Sequence, residues 1–230
     1  MTMSNHATLT LRALGRLLSY PDGELRGHLD ELRGALHDER ALGQARLAEL
    51  DALIRSLSSR DAIDVEAEYV QLFDRGRSTS LHLFEHVHGD SRDRGPAMID
   101  LAQTYAQAGL YLAEGELPDY LPVVLEFVST QPKREARAFL GEMSHILSAI
   151  FSALLKRQSP YASVLGALLE VAGEKAQTVK VVEDQPLDES WEEPVAFGGC
   201  SIEGQAKPGQ PQPIHIVRNK APSNNTAQGV

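Results

Sequence analysis

The stretch FLGEMSHILSAIF, residues 139–151, indicates the fold class, because its apolar side chains recur with the period of an α-helix. A half-buried strand would instead require apolar residues at every second position. Comparable stripes recur from Leu9 to about Val171, and no stretch alternates with period two. The sequence therefore predicts an all-α protein. The apolar positions are Phe139, Met143, Ile146 and Ile150 here and, elsewhere, Leu11, Leu14 and Leu18; Leu25, Leu29, Leu32 and Leu36; Leu47, Leu50, Ile54 and Leu57; Val65, Tyr69, Leu72 and Phe73; Met98, Leu101, Tyr105, Ala108 and Leu112; Val164, Leu168 and Val171.

Turn signals separate these stripes. The run Tyr20–Gly23 contains Pro, Asp and Gly and breaks the first helix from the second. Pro132 and Pro160 stand where helices would begin, at a position that needs no amide donor. Asp119 is a predicted N-cap, and Pro122 then falls in the first turn of its helix. These boundaries predict a compact bundle of about eight helices joined by short links.

The chain changes character at about Gln177. From there to Val230 it is rich in Pro, Gly, Asn and Gln, and it carries an acidic stretch at Asp188–Glu193. Such a composition holds too little apolar surface to form a packed core. We therefore predict an all-helical domain over residues 1–176 and a mostly disordered tail over residues 177–230. The tail's short apolar islands, Val195–Phe197 and Ile214–Val217, could dock on the domain or on a partner.

Charge and composition exclude several classes of function. The formal net charge is −10, with 32 Asp and Glu against 22 Lys and Arg, which disfavours nucleic-acid binding. Residues 1–10 lack the apolar core of a secretory signal, and no apolar run approaches the about 20 residues that cross a bilayer. The single cysteine, Cys200, cannot form an intrachain disulfide. We predict a cytoplasmic protein with no membrane span.

A search for catalytic chemistry finds little. No phosphate-binding glycine loop or nucleophile elbow is present, and Cys200 lies in the tail without an electropositive surrounding. His82, His86 and His88 form a cluster with Glu85, but there is no HExxH pattern and no cysteine pair. A metal site in this cluster is a minor hypothesis; the alternative is that these histidines hydrogen-bond to backbone and nearby charged groups. The chain is predicted not to be an enzyme.

One connection between the stripes is unusually long. It covers Asp74–Pro96 and reads DRGRSTSLHLFEHVHGDSRDRGP. Long links inside compact helical domains are often functional. Its apolar residues adjoin histidines, and the run Asp90–Arg94 packs charges of both signs closely together. The segment could form a polar network at the mouth of a groove, or a loop that satisfies its own hydrogen bonds; the residues alone favour neither.

The same region carries a family resemblance. The stretch Glu66–Met98, reading EAEYVQLFDRGRSTSLHLFEHVHGDSRDRGPAM, closely resembles the NarJ family of nitrate reductase assembly chaperones, within the wider TorD-like group of molybdoenzyme chaperones. The stretch Glu116–Phe127, ELPDYLPVVLEF, is similar to that group's loop-and-helix pattern, although Tyr120 stands where the wider group often has His. Two tail stretches, Trp191–Cys200 and Pro211–Val217, match as well, so the resemblance spans nearly the whole chain.

The resemblance implies a chaperone that binds the N-terminal segment of the catalytic (alpha) subunit of respiratory nitrate reductase. The chaperone would hold that subunit in the cytoplasm while molybdenum cofactor and an iron–sulfur cluster are inserted, before membrane attachment. It would leave the finished enzyme and would not be one of its subunits. It implies no resident cofactor, although transient contact with molybdenum cofactor and with molybdenum cofactor biosynthesis proteins is compatible with this role. An alternative is that the chain itself carries the cofactor, whose phosphate would suit the basic cluster Arg75, Arg77, Arg92 and Arg94.

A partner helix would lay its apolar face in a groove between helices, with rim charges fixing its register. An acidic chaperone would attract a basic segment of this kind. Tyr69, Leu72 and Phe73 could line such a groove, and the alternative is that they are ordinary core residues. The alternative for Asp119 is that it is only an N-cap. The candidate partner-binding residues are Tyr69, Phe73, Phe84, Glu85, His86, His88, Asp90, Arg92, Asp93, Arg94, Asp119 and Tyr120.

Overall fold

The structure, a computed structural model, describes residues 7–88 and 92–179, and within them it contains eleven α-helices and no strand. The predicted all-α class is confirmed. The helices outnumber the predicted eight partly because two of them, α2 and α6, are too short for their stripes to show in the sequence. The helices are α1 Thr8–Leu17, α2 Gly23–Gly27, α3 Leu29–Glu39, α4 Gln44–Ser59, α5 Ala62–Tyr69, α6 Leu83–Val87, α7 Arg94–Gln107, α8 Leu121–Thr130, α9 Lys133–Glu142, α10 Ser144–Lys156 and α11 Ala162–Ala172.

The centre of the fold is built from α1, α8, α10 and α11. Helix α1 packs along α8 and α10 packs along α11, while α3 and α4 close the other side. The predicted stripes face inward, so that Leu14, Leu125 and Leu168 are completely buried. Burying each such leucine stabilises the fold by about 1.5–3 kcal/mol. Helices α1 and α8 approach closely at Gly15, where an added Cβ would lie 3.3 Å from Cβ of Leu125.

Carboxylates cap the helix starts in two ways. Asp22 and Asp61 accept hydrogen bonds from the first turns of their own helices, α2 and α5, at 2.8 and 2.9 Å. Glu39 instead reaches across from the end of α3 and accepts from two N–H groups of α1, at 2.6 and 3.1 Å. Glu170 of α11 accepts from the N–H of Gly43, which precedes α4, at 2.7 Å. A cap contributes about 1 kcal/mol, whether its carboxylate is local or remote.

The stripe at residues 139–151 continues across a bend. Helices α9 and α10 meet at 63°, with Met143 at the junction. The bend allows α9 to pack against both α8 and α11 while α10 follows α11. Within residues 7–88 and 92–179, no single helix is long and apolar enough to cross a membrane. Only α9 and α10 taken together have sufficient length and apolar character, and they are bent.

The predicted long link at Asp74–Pro96 contains regular structure. A π-helical turn, Val70–Asp74, leads into a 3-10 turn at Arg77–Thr79, and α6 and the start of α7 follow. The chain stays against the body here because Leu81 and Leu83 are both buried. Gly76 is required between the two turns, since an added Cβ would lie 2.7 Å from the carbonyl oxygen of Leu72.

Several predicted helix boundaries are corrected. Asp119 is not the N-cap of α8, because that position belongs to Tyr120, whose backbone is extended. Pro122 does lie in the first turn of α8, as predicted. Pro132 is the N-cap of α9 rather than its first residue, and Pro160 lies two positions before α11 begins. These shifts of one or two positions are typical of boundaries read from proline alone.

Helix α7 is shorter than its stripe and packs loosely. It ends at Gln107, so Ala108 and Leu112 lie beyond it. The chain reverses at Gly109, whose φ of 80° is left-handed, and the N–H of Leu110 donates to the carbonyl of Tyr105 at 2.9 Å. Tyr105 is the one buried residue of this helix.

After α11 the described chain runs without a helix to Val179. Gly173 ends α11 in a left-handed conformation, with φ of 82°, and the N–H of Val179 donates to Oγ of Ser152 at 2.9 Å. All the described residues belong to one compact unit. The predicted tail, with its apolar islands and Cys200, lies outside the described residues from position 180 onward.

Candidate functional site

The carboxylate of Asp119 joins two distant parts of the chain. The backbone of Asp119 and that of Leu121, on either side of Tyr120, pair with residues around His82, through Leu83 N–H to Asp119 O at 3.0 Å and Leu121 N–H to Leu81 O at 2.9 Å. The Asp119 side chain is completely buried and accepts from the N–H of Phe84 at 3.1 Å. Asp119 therefore caps α6 across the bridge instead of capping the helix that follows it.

Two cationic groups approach the same carboxylate. Nδ1 of His82 lies 3.4 Å from Asp119 Oδ1, and Nη2 of Arg94 lies 3.8 Å from Asp119 Oδ2. The hydrogen bond to Asp119 raises the pKa of His82 above its ordinary value, while partial burial opposes that rise. The His82 ring also packs on Tyr120, with ring centroids 5.3 Å apart. His82 is therefore held between the Asp119 carboxylate and the Tyr120 ring.

The other two histidines of the predicted cluster face elsewhere. Nε2 of His86 hydrogen-bonds to the carbonyl of Ser80 at 2.9 Å, and the His88 ring lies edge-on to Phe84 at 5.4 Å. Among the described residues, no group of three His, Cys, Asp or Glu side chains is arranged to hold a metal ion. The contacts of these histidines thus agree with the alternative interpretation, in which they bond to backbone and to neighbouring side chains.

An aromatic cluster lies beside the Asp119 network. Tyr69 packs against Phe73 at 4.8 Å and edge-on against Tyr20 at 5.6 Å. Its hydroxyl donates to the carbonyl of Leu18 at 2.8 Å and lies 3.1 Å from the hydroxyl of Tyr120. Burial raises the pKa of Tyr69 and of Tyr120, so both phenols are neutral at physiological pH. The cluster is rigid, because its rings and hydroxyls are held by packing and hydrogen bonds.

Three adjoining cavities line this side of the molecule. The first, called the apolar cavity, has a volume of about 300 Å³ and lies between α1, α8 and the loop after α7. Tyr105, Leu110, Leu112, Val123 and Phe127 supply its apolar walls. Tyr111, at its edge, is 84% exposed. An exposed aromatic ring beside an apolar hollow is typical of a surface that binds another chain.

The second and third cavities continue from the first. The tyrosine cavity, about 510 Å³, shares Glu116 and Tyr120 with the apolar cavity. The arginine cavity, about 390 Å³, shares Phe73, Asp74 and His82 with the tyrosine cavity. Because neighbouring cavities share lining residues, the three adjoin along one surface, here called the groove. The tyrosine cavity is lined by Tyr20, Tyr69, Phe73, Asp74, Leu81, His82, Gly115, Glu116, Leu117 and Tyr120, and the arginine cavity by Phe73, Asp74, Arg75, Gly76, Arg77, Ser80, His82 and Glu85.

Comparison with known proteins identifies the family. The profile described as nitrate reductase delta subunit matches residues 37–166. The nitrate reductase molybdenum cofactor assembly chaperone NarJ of Escherichia coli K12 is 41% identical over 195 residues, which cover 80% of this chain and 83% of that protein. The chain belongs to the nitrate reductase delta subunit (NarJ) family. The probable nitrate reductase molybdenum cofactor assembly chaperone NarW of the same strain is 38% identical over 193 residues, which cover 80% of this chain and 80% of that protein.

The fold agrees with that membership. A crystal structure of a putative redox enzyme maturation protein from Archaeoglobus fulgidus superposes with a TM-score of 0.52 at 21% identity, covering 74% of this chain and 95% of that one. The predicted NarJ resemblance is confirmed. The NarJ-family relatives are named as assembly chaperones, so this is a family of maturation proteins and not of catalysts.

The structure brings only some of the predicted NarJ-family site residues to the groove. Tyr69, Phe73, Glu85 and Tyr120 line it, although Tyr69 and Phe73 are also core residues, 4% and 5% exposed. Asp119 is fully buried and does not line the groove, but it bonds to His82, which does. Asp90 lies outside the described residues. The candidates that do not line the groove are Phe84, His86, His88, Arg92, Asp93, Arg94 and Asp119.

Sequence reasoning missed much of the groove. Tyr20 lies in the turn before α2, and the sequence indicates only that this turn separates two helices. In the structure its ring is 42% exposed and lines the groove. Tyr111 lies in the loop after α7, within the stripe that predicts helix as far as Leu112, and Glu116 and Leu117 follow in the same loop. The signal that could have found this loop is Gly109, because a glycine directly after a stripe is a helix stop.

Proposed function

We propose that this chain is an assembly chaperone of nitrate reductase and that its groove binds the N-terminal segment of the catalytic (alpha) subunit. The observation that carries the proposal is the apolar cavity on a member of this family, bordered by the exposed ring of Tyr111. The E. coli relatives are named as a nitrate reductase molybdenum cofactor assembly chaperone and as a probable one. A chaperone of that kind must hold a foreign segment without modifying it, and a preformed groove meets that requirement.

Binding would follow the pattern of an amphipathic helix in a groove. The apolar face of the segment enters the apolar cavity, where each Å² removed from water contributes about 25 cal/mol before the cost of ordering the segment. Charged side chains at the rim, such as Glu116 and Glu126, then select orientation. Because the net charge is −10, a basic segment is attracted before contact is made.

The proposed cellular role follows from such reversible binding. The chaperone acts in the cytoplasm, where it holds the apo-alpha subunit while molybdenum cofactor and an iron–sulfur cluster are inserted. It releases the subunit before membrane attachment and is not part of the final enzyme. A groove with a few anchoring cavities suits this cycle, because affinity from a limited number of contacts allows release on folding of the client.

The alternative cofactor-carrier function has weaker support. Of its four candidate arginines, Arg75 and Arg77 line the arginine cavity, but Asp74 and Glu85 line the same cavity. Carboxylates in the wall disfavour an anionic pterin phosphate. Purified chain that retains a pterin after gel filtration, detected by fluorescence after oxidation, would restore this hypothesis.

Titration calorimetry with a synthetic peptide tests the chaperone proposal. The peptide corresponds to the first residues of the alpha subunit of the same organism's nitrate reductase. We expect 1:1 binding that weakens at high salt, because rim charges contribute. Replacing Tyr111 by Ala should lower the affinity about fivefold to tenfold, since an exposed ring contributes to binding and little to folding.

Ile63→Ala is the matched control, because Ile63 is 75% exposed but lies outside the groove. It should leave the affinity unchanged. If the peptide does not bind the unaltered chain at any salt concentration, the proposed function is wrong. If it binds but Tyr111→Ala and Ile63→Ala behave alike, the segment binds elsewhere on the surface.

A further inference from the structure

The tyrosine cavity differs in charge from the cavities on either side. The apolar cavity and the arginine cavity each include two arginines in their walls. The lining of the tyrosine cavity contains two carboxylates, Asp74 and Glu116, and no Lys or Arg; its one histidine, His82, is bonded to the buried carboxylate of Asp119. The middle of the groove is therefore its most negative part, and it is also the largest of the three cavities, at about 510 Å³.

Both carboxylates lack a basic partner within the described chain. Arg12 and Arg16 of the neighbouring cavity are paired with Glu126 and Glu24, at 3.0 and 3.4 Å, and neither Asp74 nor Glu116 takes part in an ion pair among residues 7–88 and 92–179. The carboxylates are nevertheless available as acceptors at the rim, since both residues are exposed. A ligand cation could therefore bind them without displacing an internal pair.

The loop itself positions Glu116. Its Oε2 accepts from the N–H of Ala113 at 3.0 Å, and its own N–H donates to the Ala113 carbonyl at 3.1 Å. Gly115, with φ of 87°, provides the left-handed residue that this tight turn requires. One carboxylate oxygen is thus used to fix the side chain, and the other remains for a ligand.

Aromatic rings form the remaining walls. Tyr20, Tyr69, Phe73 and Tyr120 line the cavity, and Tyr20 stands edge-on to Tyr69 at an interplanar angle of 84°. The Tyr20 hydroxyl donates to Glu66 Oε2 at 3.0 Å, which holds the exposed ring in place. Aromatic faces attract cations, and Arg or Lys placed over a tyrosine ring gains about 0.5–2 kcal/mol depending on desolvation. Rings and carboxylates together favour a cation over a neutral polar group.

We propose that the tyrosine cavity accepts an arginine or lysine side chain of the bound segment, while the apolar cavity accepts a neighbouring apolar side chain. The inference rests on the proposed function and adds the chemistry that the groove selects. The cation lies against Tyr20 and between the carboxylates of Asp74 and Glu116. A basic side chain and an apolar one on the same face of a helix then define the register in which the client binds.

A double-mutant cycle with the alpha-subunit peptide tests this assignment. Each arginine of the peptide is replaced in turn by citrulline, which is nearly isosteric, and each lysine by norleucine, which keeps the aliphatic chain, so that charge is removed without added bulk. For one position we expect about a tenfold loss of affinity, which corresponds to about 1.4 kcal/mol. The chaperone variants Asp74→Asn and Glu116→Gln should each weaken the unmodified peptide and reduce the effect of that one replacement, which marks direct coupling.

Two further variants separate the cation effect from folding. Tyr20→Phe keeps the ring and should retain most of the affinity, whereas Tyr20→Leu removes the aromatic face and should lower it several-fold. Glu114→Gln changes an exposed carboxylate in the same loop that is not in the cavity wall, and should have no effect beyond that of net charge. Circular dichroism and thermal melting establish that each variant is folded.

The outcomes distinguish this inference from the proposed function. Suppose that the peptide binds, and that each replacement lowers its affinity by the same factor for the unaltered chain, Asp74→Asn and Glu116→Gln. The cavity then does not hold a cation, although the chaperone function stands. If the unaltered peptide does not bind at all, the proposed function itself fails. A coupling confined to one peptide position and to the cavity variants supports the assignment.

Discussion

The central helices and the segment at residues 83–117, here called the arm, are stabilised in different ways. In α1, α8 and α11 the buried side chains are mostly leucines and valines that are inaccessible to solvent. In the described residues of the arm, which comprises α6, α7 and the loop that follows, only Leu83 and Tyr105 are buried. Apart from these two residues, the arm is held by the partly buried Leu101, Leu110 and Leu112 and by a few polar contacts, chiefly to Asp119. The core can therefore lose one contact and remain a core, whereas the arm depends on each of its few attachments.

The largest effect is expected in the centre. Leu125 is fully buried where α8 crosses α1, so Leu125→Ala removes packed atoms from a site that cannot easily collapse. The free energy of unfolding should fall by about 2–5 kcal/mol. Denaturant titration followed by circular dichroism measures the loss, and Leu155→Ala, at a side chain that is 42% exposed, is the control. Equal losses for the two variants would contradict the assignment of α8 to the core.

Removing the carboxylate that anchors the arm should cost less overall but act locally. Asp119→Ala leaves the Phe84 N–H without an acceptor and removes the carboxylate partner of His82, while Arg94 keeps Glu85 at 3.5 Å. We expect a loss of about 1–3 kcal/mol in the free energy of unfolding. Amide exchange should accelerate in α6 more than in α8, because local opening of the arm does not require the core to unfold.

The isosteric Asp119→Asn is the control for that experiment. Its remaining carbonyl oxygen can still accept from Phe84, so exchange in α6 should lie between the values of the unaltered chain and Asp119→Ala. If Asp119→Ala accelerates exchange equally in α6 and in α8, then the arm and the core unfold as one unit, and the distinction between them is wrong.

The same distinction explains what the sequence could predict. Stripes such as Leu11, Leu14 and Leu18 predict core helices, because burial depends on a local period. The local cap Asp22 likewise sits in the run that marks the first break. Asp119 bonds to a residue 35 positions away, and no local pattern reveals such a partner. The groove is lined by three separated segments in the same way, so the sequence could suggest a groove beside the long link but not which residues line it.

A smaller effect is expected at the second attachment of the arm. The hydroxyl of Tyr105 donates to the carbonyl of Pro118 at 2.8 Å, while its ring packs on Phe127 at 4.7 Å. Tyr105→Phe keeps the ring contact and removes one hydrogen bond, so the free energy of unfolding should fall by about 0.5–1.5 kcal/mol. Thermal melting measures this change. The control is Tyr111→Phe, at a residue that is 84% exposed, and it should leave the melting temperature unchanged. If it lowers the melting temperature as much as Tyr105→Phe does, the hydrogen bond to Pro118 does not hold the arm.

The smallest effect is a pH dependence of the arm. Because the bond to Asp119 raises the pKa of His82, the folded state holds this proton more tightly than the unfolded chain, whose histidine titrates near about 6.5. The stabilisation is therefore fully present below that pH and is lost as pH rises through the higher pKa of the folded state. Solvent screening keeps it small, since the His82 side chain is 33% exposed. Amide exchange in α6, corrected for its intrinsic pH dependence, should show more frequent opening over this range, and His82→Gln should abolish the change. If the change persists in His82→Gln, another group controls the arm, and the His82–Asp119 pair contributes to its attachment only through packing.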